Sequence, residues 1–192
     1  MLFRSVEPNA DMRGEAERDL KRFGKFVSLS GSAENTGIES GTVDNITVAQ
    51  AFHWFDRNLF KKECGRILKA DGKVVLVWNC RDEDDETFVK NAEVNKAFCP
   101  AFKGFTGGMG SKAGYDFSDF FSGDYDVKIF DNSIMLNVEQ FIGRNLSSSY
   151  APATDAENCS AYVDALKKLF SERSVNGLLK FPTFTRCYIG KV

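Results

Sequence analysis

The chain of 192 residues has one histidine and almost no net charge, since 25 Lys and Arg stand against 27 Asp and Glu. Without a basic stripe or patch, there is no electrostatic footprint for nucleic acid. No run approaches the ~18 apolar residues that a membrane span requires. The first residues also lack the basic region and long apolar stretch of a secretory signal. The five cysteines (Cys64, Cys80, Cys99, Cys159, Cys187) are scattered, odd in number and without metal-type pairing. No metal is expected from them, and reduced thiols in the cytoplasm fit best. The single histidine is not paired with a cysteine by the sequence, so a cysteine nucleophile has no support. Internal repeats and linker-like stretches are absent too. Residues 1–192 therefore read as one domain, large enough to bury roughly 70% of its unfolded surface.

What is present alternates between strand and helix. Leu2–Val6 is predicted as a strand, and Pro8 suits the first turn of a helix reaching about Phe23. Met12, Ala16, Leu20 and Phe23 form one stripe of that helix. Lys25–Leu29 is a second strand, followed by a loop of turn formers over 30–41. Val43–Ala49 reads as a third strand, with the mostly apolar run of a buried parallel sheet. Asp56 caps a helix carrying Leu59, Phe60, Cys64, Ile67 and Leu68. Asp71-Gly72 reads as a turn, and Lys73–Asn79 as a strand. The acidic run RDEDDE (81–86) complements the start of a helix that ends near Phe98, which leaves no need for a metal there. A glycine-rich stretch (104–114) resembles a dinucleotide loop at Gly108-Met109-Gly110 and Gly114. It follows a helix and a Cys-Pro, not a strand, so a lid or substrate loop is the better reading. A strand over Tyr125–Met135, a capping box at Asn137 and Gln140, a helix over Thr154–Glu172 and a strand over Thr183–Ile189 complete the chain. The alternation implies a mostly parallel, Rossmann-like α/β sheet with helices on both faces, with room for an antiparallel strand near the C-terminus.

Glu7 poses a question of spacing. In nucleotide-binding α/β folds the ribose-binding acid follows the first glycine-rich loop by roughly 20 residues. Counting back from Glu7 sets that loop before Met1, so the first strand and its loop are expected to lie outside this chain.

Four segments carry a resemblance: VEPNADMR (6–13), SAENTGIESGTVDNITVAQAFHWFD (32–56), RILKADGKVVLVWN (66–79) and FIGRNLSSSYAP (141–152). Together, and in order, they resemble a class I S-adenosylmethionine-dependent methyltransferase of the small bacterial kind with a type 11 domain. The resemblance implies a seven-stranded sheet with one antiparallel strand, and S-adenosylmethionine across the carboxyl ends of the central strands. It implies that Glu7 binds the ribose hydroxyls, that Ala33 and Glu34 meet the adenine, and that Gln50, Ala51 and Phe52 line the methionine side. The acceptor would be a small molecule. The family's first strand and glycine-rich loop have no counterpart. Losing two or three charged hydrogen bonds of about 1.5–3 kcal/mol each would turn a micromolar site into one near millimolar. The alternative is thus a non-catalytic remnant with weak cofactor binding and self-association through exposed sheet edges.

The remaining candidates sit at predicted strand ends or loops. His53, flanked by Phe52, Trp54 and Phe55, lies where open α/β sheets bind ligands. It could take a proton from a substrate hydroxyl or amine, or only shape the pocket. Trp54, Trp78 and Asn79 are candidates for substrate contact, with ordinary packing as the competing role. Tyr150 could reach the substrate or anchor its loop.

Overall fold

The computed structural model describes residues 2–105 and 114–192. The glycine-rich candidates Gly108, Met109 and Gly110 lie outside the described residues. Phe3–Val6 (β1) and Phe26–Leu29 (β2) pair in parallel, from Phe3 with Phe26 to Val6 with Leu29. Ala10–Leu20 (α1) connects them. Asn9 rather than Pro8 begins this helix, because its Oδ1 accepts the N–H groups of Asp11 and Met12 at 2.9 and 3.0 Å. That satisfies two of the donors a helix start leaves open.

Val43–Ala49 (β3) has the expected bounds and runs parallel to Leu68–Arg81 (β4), with Arg57–Ile67 (α2) between them. The expected turn at Asp71-Gly72 is instead a bulge within β4. Val43 pairs with Leu68 and Asn45 with Lys73, so two steps on one strand answer five on the other. The chain does not reverse, because both sides of the bulge stay paired to β3. Gly72 suits this position: a Cβ would lie 2.7 Å from Leu68 Cδ2 and 3.0 Å from the backbone oxygen of Lys69.

The later elements are Glu86–Phe98 (α3), Asp126–Asp131 (β5), Ile134–Leu136 (β6), Val138–Leu146 (α4), Cys159–Arg173 (α5), Leu179–Phe181 (β7) and Thr183–Gly190 (β8). The strand expected over 125–135 divides at Asn132-Ser133. Asp131 Oδ1 accepts both the N–H and the hydroxyl of Ser133, at 2.9 and 2.6 Å, closing a local turn. The capping box forms as read, with Asn137 and Gln140 exchanging side-chain to backbone bonds.

Strand order is β3-β4-β8-β5 in one sheet, β1-β2 in a second and β6-β7 in a third. Asp82 N–H donates to Pro182 O while Asn79 Oδ1 accepts from the Thr185 hydroxyl. One strand advances as the other retreats, so β8 runs antiparallel to β4. The whole is a mixed α/β fold with a mostly parallel sheet, as expected. Among the described residues no strand pairs with β1 on its side away from β2, or with β3 on its side away from β4. β3 was expected to be buried; only Val48 is, because an edge strand lacks one neighbour. The apolar stripe read on α1 is left uncovered among the described residues: α1 has no buried residue and Met12 is 63% exposed.

The chain divides into two compact units. One comprises the chain up to Val77 with Asp116–Val127 and Cys187–Val192; the other comprises Trp78–Tyr115 and Lys128–Arg186. The first has an aromatic core in which Phe52 meets Phe60, Phe117 and Phe120 edge-on. The second packs Phe88, Phe141, Tyr162, Leu166, Leu179 and Phe181 together. Among the described residues no helix is long and apolar enough to cross a membrane.

Candidate functional site

In the first unit, three loops leave the carboxyl ends of β1, β2 and β3, and each carries residues singled out by sequence. Glu7 follows β1. Its N–H donates to Leu29 O at 3.2 Å, its carbonyl accepts from Arg13 Nη1 at 2.9 Å, and its Oε1 accepts the Asn9 N–H at 2.9 Å. The carboxylate is thereby held in orientation at the head of α1.

Ala33 and Glu34 form the tip of a tight turn after β2, closed by reciprocal 3.2 Å bonds between the backbones of Ser32 and Asn35. Gly31 allows it: a Cβ there would meet Asn35 O at 3.0 Å and Val6 Cγ1 at 3.3 Å. Glu34 Oε1 accepts the Asp56 N–H at 3.0 Å, which ties this turn to the residue that caps α2. Partial burial opposes ionisation of Glu34. Hydrogen bonds from its own N–H, Ser32 and the Asp56 N–H nonetheless hold its carboxyl below the ordinary value.

A second tie was not foreseen. Glu63 of α2, only 7% exposed, accepts the N–H and hydroxyl of Thr36 at 2.9 and 2.6 Å. Arg66 donates to its two oxygens at 2.7 Å each. The Arg66 bonds dominate, burial opposes them, and Thr36 adds to them, so the carboxyl falls to about 2. In sequence, Glu63 is one acid on an amphipathic helix, and nothing there distinguishes it from a solvated one.

After β3, Gln50 takes a left-handed backbone conformation with φ 56°, unusual for a residue with a Cβ. Its N–H still donates to Val77 O at 3.0 Å. The chain then turns through Ala51 into a single 3-10 turn, Phe52–Trp54. Phe52 is buried in the aromatic core, with the Arg57 guanidinium 5.2 Å from its ring. Anchored by Phe52, the turn displays His53 and Trp54 to solvent. Trp54 is 80% exposed, and the two rings lie 4.8 Å apart.

Trp78, Asn79 and Tyr150 belong to the second unit. Trp78 is 3% exposed and packed. Asn79 Oδ1 accepts from Asn132 Nδ2 at 3.2 Å and from the Thr185 hydroxyl at 2.9 Å. The Tyr150 hydroxyl lies 3.5 Å from Asn95 Nδ2, and its ring packs on Phe102. The acidic run at 81–86 includes Asp85, which caps α3 through the Thr87 N–H at 2.7 Å, and Glu86, which meets Arg173 at 2.7 Å. Among the described residues no group of His, Cys, Asp or Glu is placed to hold a metal ion. All five cysteines are free thiols, and burial raises Cys64 to about 12, so it is no nucleophile at neutral pH.

The span holding these three loops is also the one with a family resemblance. Residues 3–76 match the methyltransferase domain family. This stretch of the chain is similar to a methyltransferase domain. The chain is 44% identical over 57 residues to an uncharacterised methyltransferase of Mycobacterium tuberculosis, covering 30% of this chain and 24% of that protein. It is 43% identical over 63 residues to a methyltransferase-like protein of Schizosaccharomyces pombe, covering 33% and 25%. The matches thus span about a quarter of each curated relative. Among solved structures, a candidate type II methyltransferase of Anaeromyxobacter dehalogenans superposes with a TM-score of 0.64 at 18% identity, covering 99% of this chain and 80% of that one. The YcgJ protein of Bacillus subtilis gives 0.52 at 17%, covering 98% and 82%. At such identity these structures bear on the fold alone, a mixed α/β fold like the one described above.

Proposed function

We propose that the chain holds S-adenosylmethionine at the carboxyl ends of β1, β2 and β3 and transfers its methyl group to a small molecule. The observation that carries this reading is the order of ligand-type groups within the stretch similar to a methyltransferase domain. A carboxylate follows β1, a tight turn follows β2, and an amide with two displayed rings follows β3. This set matches a cofactor bearing a ribose diol, an adenine and a sulfonium. When bound, the cofactor supplies an electrophilic methyl group.

Glu7 accepts from the ribose hydroxyls. Because Glu34 Oε1 already accepts the Asp56 N–H, the adenine contact is assigned first to the Ala33 N–H, with Glu34 steadying the turn. Gln50, Ala51 and Phe52 line the methionine side. His53 and Trp54 border the acceptor. His53 serves either to receive a proton from an acceptor hydroxyl or amine, or to wall the pocket. Orientation and desolvation alone suffice for a good nucleophile. The free thiols support a reducing, cytoplasmic setting.

A second reading, a weakly binding non-catalytic remnant, is favoured by the unpaired edges of β1 and β3 among the described residues. Calorimetric titration with S-adenosylhomocysteine separates the two. Micromolar binding that weakens about tenfold or more in Glu7→Ala supports the cofactor site. Absence of heat at millimolar ligand supports the remnant.

A further inference from the structure

In the second unit, one run of neighbouring rings carries two arginines. Phe88 of α3 lies 4.3 Å from Phe105 and 6.1 Å from Phe181, centroid to centroid. The Arg81 guanidinium, at the end of β4, stands 5.2 Å from the Phe105 ring. The Arg144 guanidinium, in the last turn of α4, stands 4.8 Å from the Phe181 ring. Phe88 and Phe181 are buried, Arg81 is half-buried and Arg144 reaches solvent. These residues all belong to the second unit, and neither arginine was singled out by sequence.

Both cations lack a counter-charge. Among the described residues neither guanidinium has an ion-pair or hydrogen-bond partner. Of the acids that follow Arg81, Asp85 caps α3 and Glu86 pairs with Arg173. The two arginines also act on each other. Partial burial holds Arg144 below its ordinary pKa, and the Arg81 charge lowers it further. Adjoining rings thus hold two like charges within reach of each other's field. A ring engages the flat face of a guanidinium and leaves its in-plane N–H donors free.

We infer that Arg81 and Arg144 together bind a small organic dianion, a phosphate monoester or a paired carboxylate, at this face of the second unit. Each guanidinium donates parallel N–H bonds to oxygens of the ligand. Two negative charges offset the repulsion between the arginines, whereas one charge leaves a cation uncompensated. A cationic ligand would be repelled by both side chains. The inference does not depend on cofactor binding in the first unit.

The test titrates the full chain at about pH 8 and constant ionic strength with three probes that share a benzene ring. Phenyl phosphate carries one doubly charged group at that pH, phthalate carries two carboxylates, and benzoate carries one. Heat or ligand-observed NMR reports binding. At least one dianion is expected to bind about tenfold or more tightly than benzoate. The tighter of the two identifies the source as phosphate or paired carboxylates. Arg81→Gln and Arg144→Gln are each expected to weaken that dianion about tenfold, to the level of benzoate on the parent chain. If Arg81→Gln fails to fold, Arg144→Gln, at an exposed position, still decides. Benzoate binding as tightly as both dianions, no binding of either dianion at about 10 mM, or an Arg144→Gln variant that binds as before, each overturns the assignment.

Discussion

Glu63 Oε1 receives both the backbone N–H and the hydroxyl of Thr36, so one buried carboxylate oxygen fixes the loop after β2 to helix α2. Glu63→Gln keeps the shape but turns an amide toward Arg66 and Thr36. It is expected to cost about 2 kcal/mol of stability, read from urea denaturation. An unchanged midpoint would show that the bonds are dispensable.

The same carboxyl sets an acid limit. Arg66 chiefly holds it at about 2 against an ordinary 4.5, so the unfolded chain takes up this proton at a higher pH than the folded one. Its contribution is complete above about pH 4.5 and disappears as the pH falls toward about 2. Circular dichroism over that window should show the native chain losing stability more steeply than Glu63→Gln. Parallel slopes would refute the linkage.

Gln50 tests backbone against side chain. Gly adopts φ 56° without strain, whereas a β-branched residue does not. Gln50→Gly should be within about 1 kcal/mol of the parent, and Gln50→Val should lose about 1–3 kcal/mol. If the glycine variant stays folded yet binds S-adenosylhomocysteine several-fold more weakly, the amide contacts the cofactor. Unaltered affinity would leave the residue a turn former only.

Gly190 allows no side chain. A Cβ would lie 2.5 Å from Phe121 Cδ1 and 3.0 Å from Tyr125 Cβ, and Phe121 is itself buried. Gly190→Ala is expected to cost about 1–3 kcal/mol through overpacking, visible as a lowered thermal midpoint.

Among the described residues the outer edge of β3 is unpaired, and with the exposed Phe3 and Met12 it predicts self-association. Sedimentation equilibrium should give a mass that rises above 21.4 kDa with concentration. Phe3→Glu with Met12→Lys, both at exposed positions, should bring it back. A single-chain mass at every concentration would rule this out.

Much of the fold was legible because local chemistry and tertiary packing agreed. β3 kept its bounds, Asp56 capped α2 as expected, and Asn137 with Gln140 formed the box their spacing implied. The failures came where neighbours decide. Asp71-Gly72 carries a turn signature, but pairing with β3 on both sides converted it to a bulge. Met12 and Phe23 have helical spacing, but periodicity cannot say whether anything covers the stripe. β7, three residues long, is too short for any pattern. In the candidate site the strand-end positions of Glu7, Glu34 and Gln50 were readable. The partners that hold them, the Asp56 N–H for Glu34 and Val77 O for Gln50, are distant in sequence and emerge only on folding.

Trp54 is 80% exposed and Trp78 is 3% exposed, and the sequence contains no other tryptophan. Aqueous iodide can quench the emission of one indole and not of the other. Arrival of a ligand at the end of β3 and melting of the second unit can therefore be followed in one cuvette as two separable optical signals.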